Sequence, residues 1–250
     1  MTQDALFSYI EEQHSPLRWG RVLDAGTGDH SLRWLLGIPA EEITAVTVDT
    51  QRMSGMQPRF SELLRSQDRL VLGDWQDESL LEEEKFDVVL LDYLIGAIDA
   101  FTPFFQDRIL QRLARHVKDR LYVVGLEPFP SNSPDPATQG LIDLARFQDA
   151  CRLHAGLRPY REYPAAWVER RLNEAGLRVL STKHFGNVFR ASYLQSQARA
   201  CRQVLATLPS LELRAALMAH LESLEARLLS SAQSPQGIRL SSDYVIAAEK

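Results

Sequence analysis

Four aspartates stand where four short apolar runs end. Asp24 closes Arg21–Asp24, Asp49 closes Ile43–Asp49, Asp74 follows Arg69–Leu72 within Gly73-Asp74-Trp75, and Asp92 closes Phe86–Asp92. Carboxylates gathered at one rim repel one another unless a cation or several hydrogen-bond donors sit among them. Their chemistry is that of holding a positively charged or hydroxyl-rich ligand. Asp24 leads into Ala25-Gly26-Thr27-Gly28-Asp29-His30-Ser31, a glycine turn that lets the backbone bend tightly and lets a ligand reach the amides of the next helix. Asp49 lies 49 − 28 = 21 residues beyond Gly28, about the separation of a carboxylate that accepts hydrogen bonds from a ribose diol.

The sign of the charge separates two readings of that turn. A dinucleotide needs G-x-G-x-x-G, where a diphosphate meets the helix. Here Ser31 holds the third glycine position, and Asp24 and Asp29 flank the turn. Negative charge beside a pyrophosphate is unfavourable; beside an amino group and a sulfonium it is favourable. The dehydrogenase reading therefore ranks last.

The aspartates must be placed by an alternation of strands and helices. The apolar runs above, with Arg120–Leu126, read as strands, and three of the five fill consecutive positions with Val, Leu and Ile, as strands buried on both faces do. Helical patterns at Ser31–Leu36, Gln51–Ser66 and Thr102–His116 lie between them. This order implies right-handed crossovers and a doubly wound, mostly parallel α/β sheet, which binds ligands beyond the carboxyl ends of its strands. A sixth unit follows: Pro164, a helix over Ala165–Ala175 stopped by Gly176, and a strand at Leu177–Lys183. A seventh strand is expected at Tyr244–Ala247. Residues 191–233 read as a helical hairpin inserted into a single domain spanning 1–250, with helices over Ala191–Leu208 and Leu211–Ser230. Pro209 breaks them and Ser210 is the N-cap of the second, whose Leu213, Leu217, Leu221, Leu224 and Leu228 form a stripe that must be buried. The hairpin is a cap over the site, the surface of a homodimer, or plain packing on the sheet. Ser131–Pro136 and Ser234–Gly237 are turn-rich, and Glu78–Lys85 reads as a solvated turn or helix.

Composition excludes several classes. The 250 residues are 45% hydrophobic and 24% charged, which is ordinary for a globular protein and excludes disorder throughout, a collagen repeat and a disulfide scaffold. A net charge of −5 gives no electrostatic reason to bind a nucleic acid. Cys151 and Cys201 lack any CxxC or CxxH partner, a reduced pattern with no metal signature. The first residues, MTQDALFSYIEEQHSP, are acidic where a signal peptide is basic, and no apolar run is long enough to span a membrane, so a cytoplasmic protein is expected.

From Arg21 to Glu249 the chain resembles the class I S-adenosylmethionine-dependent methyltransferases. VLDAGTGDH is similar to the family's first motif, VTVD to the second, LVLGDW to the third and FDVVLLDYL to the fourth, and DYVIAAEK to its antiparallel last strand. The resemblance implies that Asp24 meets the methionine amino group, with Gly26, Thr27 and Gly28 lining it. It implies that Asp49, with Thr50, holds the ribose hydroxyls, that Asp74 lies near the adenine amino group with Trp75 beside the ring, and that Asp92 and Tyr93 stand at the boundary of cofactor and substrate. His30 replaces the family's third glycine; it either touches the cofactor carboxylate or caps the turn. DYLI departs from the DPPY or NPPY of many amino-group methylases of nucleic acids and proteins, which points to a small-molecule substrate.

Methyl transfer is an in-line displacement on an activated carbon, so the protein mainly aligns the pair and excludes water, and a base is needed only for a protonated nucleophile. The candidates beyond the later strands are Tyr93, Glu127 in GLEPFP and His184 in KHFGNVF, with His154 and Tyr160 behind them. His14, His116 and His220 read as surface or packing residues. Phe129, Tyr160, Tyr163, Trp167, Phe185, Phe189 and Tyr193 suggest a partly aromatic pocket. Two other readings remain: a module that binds the cofactor without transferring its methyl group, and an aminopropyltransferase. The latter wants a second acidic cluster, which the fourth-strand loop does not supply.

Overall fold

The computed structural model describes residues 4–250. Seven strands form one sheet in the order β3-β2-β1-β4-β5-β7-β6. They are β1 (Arg21–Asp24), β2 (Glu42–Thr47), β3 (Arg69–Leu72), β4 (Phe86–Asp92), β5 (Val117–Leu126), β6 (Arg178–Phe189) and β7 (Ile238–Glu249). The first five pair in parallel, and β7 runs antiparallel beside β5. The expected doubly wound sheet with a reversed last strand is present.

The helices are α1 (Ala5–His14), α2 (Asp29–Leu35), α3 (Thr50–Phe60), α4 (Leu94–Phe101), α5 (Gln106–Ala114), α6 (Pro136–His154), α7 (Ala165–Glu174), α8 (Ala191–Ala206) and α9 (Leu211–Gln233). Several boundaries differ from the sequence reading. The second strand stops at Thr47, because Asp49 accepts hydrogen bonds from the amides of Gln51 and Arg52 and so caps α3. The helix expected over Thr102–His116 is shorter, running from Gln106 to Ala114, because Thr102 instead caps the end of a separate helix, α4, that the sequence reading did not place. The helix expected to reach Ser66 ends at Phe60, two residues past Pro58. The last two strands are far longer than expected, because their extra residues are polar or half exposed and lack an apolar run.

The chain divides into two compact units. The first runs to Leu126 and adds Glu162–Phe185 and Asp243–Lys250; the second comprises Glu127–Arg161 and Gly186–Ser242. In the first unit each face of the sheet buries its own layer. On one face Val22, Val88, Leu90, Val124 and Val245 meet Phe7 and Ile10 of α1, Leu32 of α2 and Met56 of α3. On the other Leu23, Val89, Leu91 and Val123 meet Ile109 of α5 and Val168 of α7. Burying each such aliphatic side chain contributes about 1.5–3 kcal/mol against chain entropy. In the second unit the leucine stripe of α9 (Leu221, Leu224, Leu228) packs with Leu194 and Leu205 of α8 and with Leu141, Leu144 and Phe147 of α6. Ser210 caps α9 as expected, accepting from the Leu213 amide.

Candidate active site

The parallel register decides which strand-end carboxylates share a face. Asp24 pairs with Leu90, and Asp92 lies two residues beyond Leu90. Asp92 pairs with Val124, Val124 with Val245, and Asp243 lies two residues before Val245. Because side chains alternate along a strand, Asp24, Asp92 and Asp243 project from the same face, the one covered by α1, α2 and α3. Asp24 and Asp92 stand at the carboxyl rim of β1 and β4, and Asp243 stands within antiparallel β7, opposite Leu126 at the end of β5.

Asp24 is fully buried, and both of its carboxylate oxygens lack a hydrogen-bond partner. Burial pushes its carboxyl up to about 6, restrained only by the nearness of Ser31, Thr27 and the Gly26 amide, none of which reaches bonding geometry. The Thr27 hydroxyl is equally buried and equally without a partner. Asp92 is pushed up to about 7, first by burial and then by the charges of Asp24, Asp4 and Asp243. Tyr93 caps α4 in the left-handed conformation (φ 49°), with its amide donating to Val124 O at 3.0 Å. Burial, together with a hydrogen bond to Asp243 and the charge of that carboxylate, drives the Tyr93 hydroxyl far above its ordinary value.

The glycine turn works differently from expectation. Neither Gly26 nor Gly28 adopts a positive φ. Gly26 is needed for close approach: a Cβ there would lie 2.7 Å from Leu94 Cδ1. Gly28 precedes α2, and the Ser31 hydroxyl reaches back to accept from its amide at 3.1 Å. His30 does not enter the turn. It lies exposed on the first turn of α2, with Nε2 3.4 Å from Asp4 Oδ2 and its ring 4.9 Å from that of Phe7.

The remaining expected cofactor residues divide. Asp49 is half buried; one oxygen caps α3, while the other lies 4.0 Å from Arg52. Thr50 is exposed beside it. Asp74 accepts from the Gln76 amide at 2.9 Å and from the Thr102 hydroxyl at 3.3 Å, tying the end of β3 to the end of α4. Trp75 is only 4% exposed and donates from Nε1 to Ala25 O at 2.6 Å. Its ring braces the glycine turn from within the core.

Of the catalytic candidates, Tyr93 belongs to the acidic rim. His184 lies inside β6, not in a loop after it, because that strand continues to Phe189; it is exposed, with its ring 6.2 Å from Tyr244. Glu127 belongs to the second unit, where its amide donates to Ser242 O at 2.9 Å. His154 and Tyr160 are exposed residues of the same unit, and Arg152 lies over the Tyr160 ring. Of the aromatic candidates, Phe129 meets Phe189 edge-on and Phe189 meets Tyr193 at a tilt in the second unit, Tyr163 meets Trp167 in the first, and Phe185 meets Tyr9. His14 and His116 are buried packing residues, and His220 is exposed against Phe147.

Two carboxylates were missed in the sequence. Asp243 opens the run DYVIAAE, but only the antiparallel pairing with β5 carries it to the carboxyl rim. Glu162 sits before α7 with no motif around it. Its carboxylate presses on α4, where a Cβ on Gly96 would lie 2.2 Å from Oε2, and burial with the Asp243 charge pushes it up to about 7.

A cleft of about 1060 Å³ runs along α1 and α2, past Arg18, Trp19 and Trp34 to Gly20 and Glu41. It includes none of the strand-end aspartates and ends at the amino ends of β1 and β2. The open-sheet rule places ligand chemistry at the other rim.

No family model matches the chain, and no curated protein matches it. Solved structures do. A protein of Bacillus halodurans assigned as a methyltransferase superposes with a TM-score of 0.61 at 13% identity, covering 97% of both chains. A mycolic acid cyclopropane synthase crystallised with S-adenosylhomocysteine gives 0.58 at 16%, covering 100% of this chain and 86% of that one. A [4+2]-cyclase gives 0.58 at 18%, covering 98% and 79%. The chain has the Rossmann-like fold of the class I methyltransferases.

Proposed function

We propose that this chain is an S-adenosylmethionine-dependent methyltransferase that transfers a methyl group to an O, N or S atom of a small metabolite. The observation that carries this reading is Asp24: a fully buried carboxylate at the glycine turn with neither oxygen satisfied. An unpaired buried charge costs several kcal/mol, and an ammonium group placed against it removes that cost. The fit extends to Asp49, whose second oxygen is free of the α3 cap and lies at the end of the neighbouring strand, and to the acid-lined rim at Asp92, which suits a sulfonium.

When bound, the cofactor supplies an electrophilic methyl carbon. The protein's share is placement. Asp24 and the Gly26–Gly28 turn hold the amino-acid end, Asp49 and Thr50 the ribose, and Asp74 orders the loop beside the base. Asp92 and Tyr93 form the wall between cofactor and acceptor. Tyr93, His184 and Glu127 remain the residues whose replacement by Phe, Gln and Gln tests a part in turnover. The net charge of −5 and the DYLI motif favour a small acceptor over a nucleic acid. Among the described residues no helix is long and apolar enough to cross a membrane. A cytoplasmic place fits this reading, as does a homodimer through α8 and α9.

A second reading follows from the cyclase of the same fold: the chain binds the cofactor and does other work with the site. Titration calorimetry with S-adenosylhomocysteine separates the parts. Asp49→Ser retains a capping hydroxyl, so stability should hold while affinity falls by about ten-fold or more, the scale of lost hydrogen bonds to a charged acceptor. Unchanged affinity in Asp49→Ser and Asp24→Asn defeats the cofactor assignment. Binding without any methylated product from a metabolite extract favours the second reading.

A further inference from the structure

We propose that Cys151 and Cys201 form a peroxide-reactive dithiol in the second unit, which closes to a disulfide between α6 and α8; this is independent of the transferase reading above. They are the only two cysteines of the chain, 201 − 151 = 50 residues apart, and both are free thiols.

Register along the two helices brings them together. On α6, Cys151 shares a face with Leu144 and Phe147; on α8, Cys201 shares one with Leu194, Ala198 and Leu205. Both faces belong to one apolar cluster. The Gln148 amide donates to the Gln197 side-chain carbonyl, three residues before Cys151 on one helix and four before Cys201 on the other. One turn further along both helices, the Cys201 thiol donates to the Cys151 sulfur. Two contacts that advance together by one turn require α6 and α8 to run side by side in the same direction there. The two sulfurs therefore stand at one level, facing each other.

Burial alone would leave such a pair inert. Here both cysteines, although only 1% and 3% exposed, line a cavity of about 230 Å³. Its other walls are largely polar, with Gln148, Asp149, Arg152, Tyr160 and Gln197 among them. A polar cavity with room to spare for water also admits hydrogen peroxide, which is hardly larger and makes the same hydrogen bonds. Cysteines serving only to pack would be closed in by aliphatic side chains on every side.

The hydrogen bond between the thiols sets the order of attack. Accepting it holds Cys151 below the ordinary thiol value, while donating it, together with burial, raises Cys201. Cys151 is thus the thiolate that attacks first, and Cys201 the thiol that resolves. The Cys151 sulfur bonds to one peroxide oxygen, the oxygen–oxygen bond breaks, and the departing hydroxide takes up the Cys151 proton as water. The Cys201 sulfur then bonds to the sulfenic sulfur, the sulfur–oxygen bond breaks, and the second hydroxide leaves with the Cys201 proton. Two thiols lose two protons and two electrons, and one peroxide is reduced to two waters.

The test uses the whole chain, reduced and then freed of reductant. It is treated with hydrogen peroxide, alkylated with iodoacetamide in denaturant, weighed intact and digested. The expected product is lighter than the reduced chain by about 2 Da, takes up no alkyl group, and yields one peptide joining α6 to α8 within a single chain. Dithiothreitol should reverse it. In Cys201→Ala, dimedone should capture a sulfenic acid on Cys151; in Cys151→Ala, capture at Cys201 should be at least ten-fold slower. Ala200→Phe, which puts a ring into the cavity wall beside Cys201, should slow closure about ten-fold. The wild-type product carries the test where a variant does not fold. Both cysteines still alkylated after peroxide, a disulfide joining two copies of the chain, sulfinic acid without a cross-link, or closure in Ala200→Phe as fast as in the wild type overturns the proposal.

Discussion

The two rims of the sheet in the first unit treat carboxylates in opposite ways. At the amino rim, Glu84 bonds Arg21 at 2.9 Å and Arg69 at 2.7 Å, Glu42 bonds Arg21, Asp87 bonds Lys118, and Glu249 bonds Arg120 and Arg178. Their partners hold Glu84, Asp87 and Glu249 below the usual carboxylate range. At the carboxyl rim burial raises Asp24, Asp92 and Glu162 to about 6, 7 and 7, and the charges of other acids add to it at Asp92 and Glu162. Paired charges at one end stabilise the fold; unpaired buried charges at the other oppose it. Ionisable groups displaced in this way mark a functional site. Position in the sheet and electrostatic imbalance thus point to the same place.

The largest expected effect is on the carboxyl rim. Asp92 is raised from 3.8 to about 7 on folding, so the folded chain holds its proton more tightly than the unfolded chain does. Ionisation of Asp92 therefore opposes folding progressively between those two values, and fully above about 7. Asp92→Asn should stabilise the protein by about 2–4 kcal/mol at pH 8 and by almost nothing at pH 4. Urea denaturation at the two pH values checks this. An equal gain at both would remove the electrostatic contrast between the rims.

Next comes the support of that rim. Gly96→Ala places a Cβ 2.2 Å from the Glu162 carboxylate and should cost about 1–3 kcal/mol through overpacking. Glu162→Ala added to it should recover most of the loss. A double variant no more stable than Gly96→Ala would show that Glu162 does not press there.

The smallest effect belongs to the amino rim. Glu84→Gln weakens half-exposed pairs with Arg21 and Arg69 and should cost about 1 kcal/mol at neutral pH, leaving affinity for S-adenosylhomocysteine unchanged. Because the Glu84 pKa is lowered by folding, its contribution is present at neutral pH and disappears as acid protonates it, opposite in sign to Asp92. A drop in ligand affinity for this variant would blur the division between the rims.

The strands Arg21–Asp24, Arg69–Leu72 and Phe86–Asp92 were legible to the residue as apolar runs, buried in the first and last and half exposed in Arg69–Leu72 at the edge of the sheet. Helix α7 and the pair α8 and α9 were legible from their periodicity and from Pro164, Pro209 and Ser210. Helix α1 was not, because its half-buried face alternates with acids in YIEEQH. Nor was the half of β6 beyond Lys183, where His184 looks like the start of a loop. Asp24, Asp49, Asp74 and Asp92 could be found because each ends an apolar run. Trp75 and His30 could be found but not oriented: one turned into the core and the other outward to Asp4.

By itself the sequence determined the alternation of elements, the acids at the ends of the early strands and the glycine turn between the first strand and its helix. These are local facts, set by side-chain period and backbone sterics. Tertiary structure alone decided that Asp243 and Glu162 join Asp92 and Tyr93. Their meeting depends on the reversed pairing of β7 with β5 and on the bare backbone of Gly96, across separations along the chain at which no local pattern carries information.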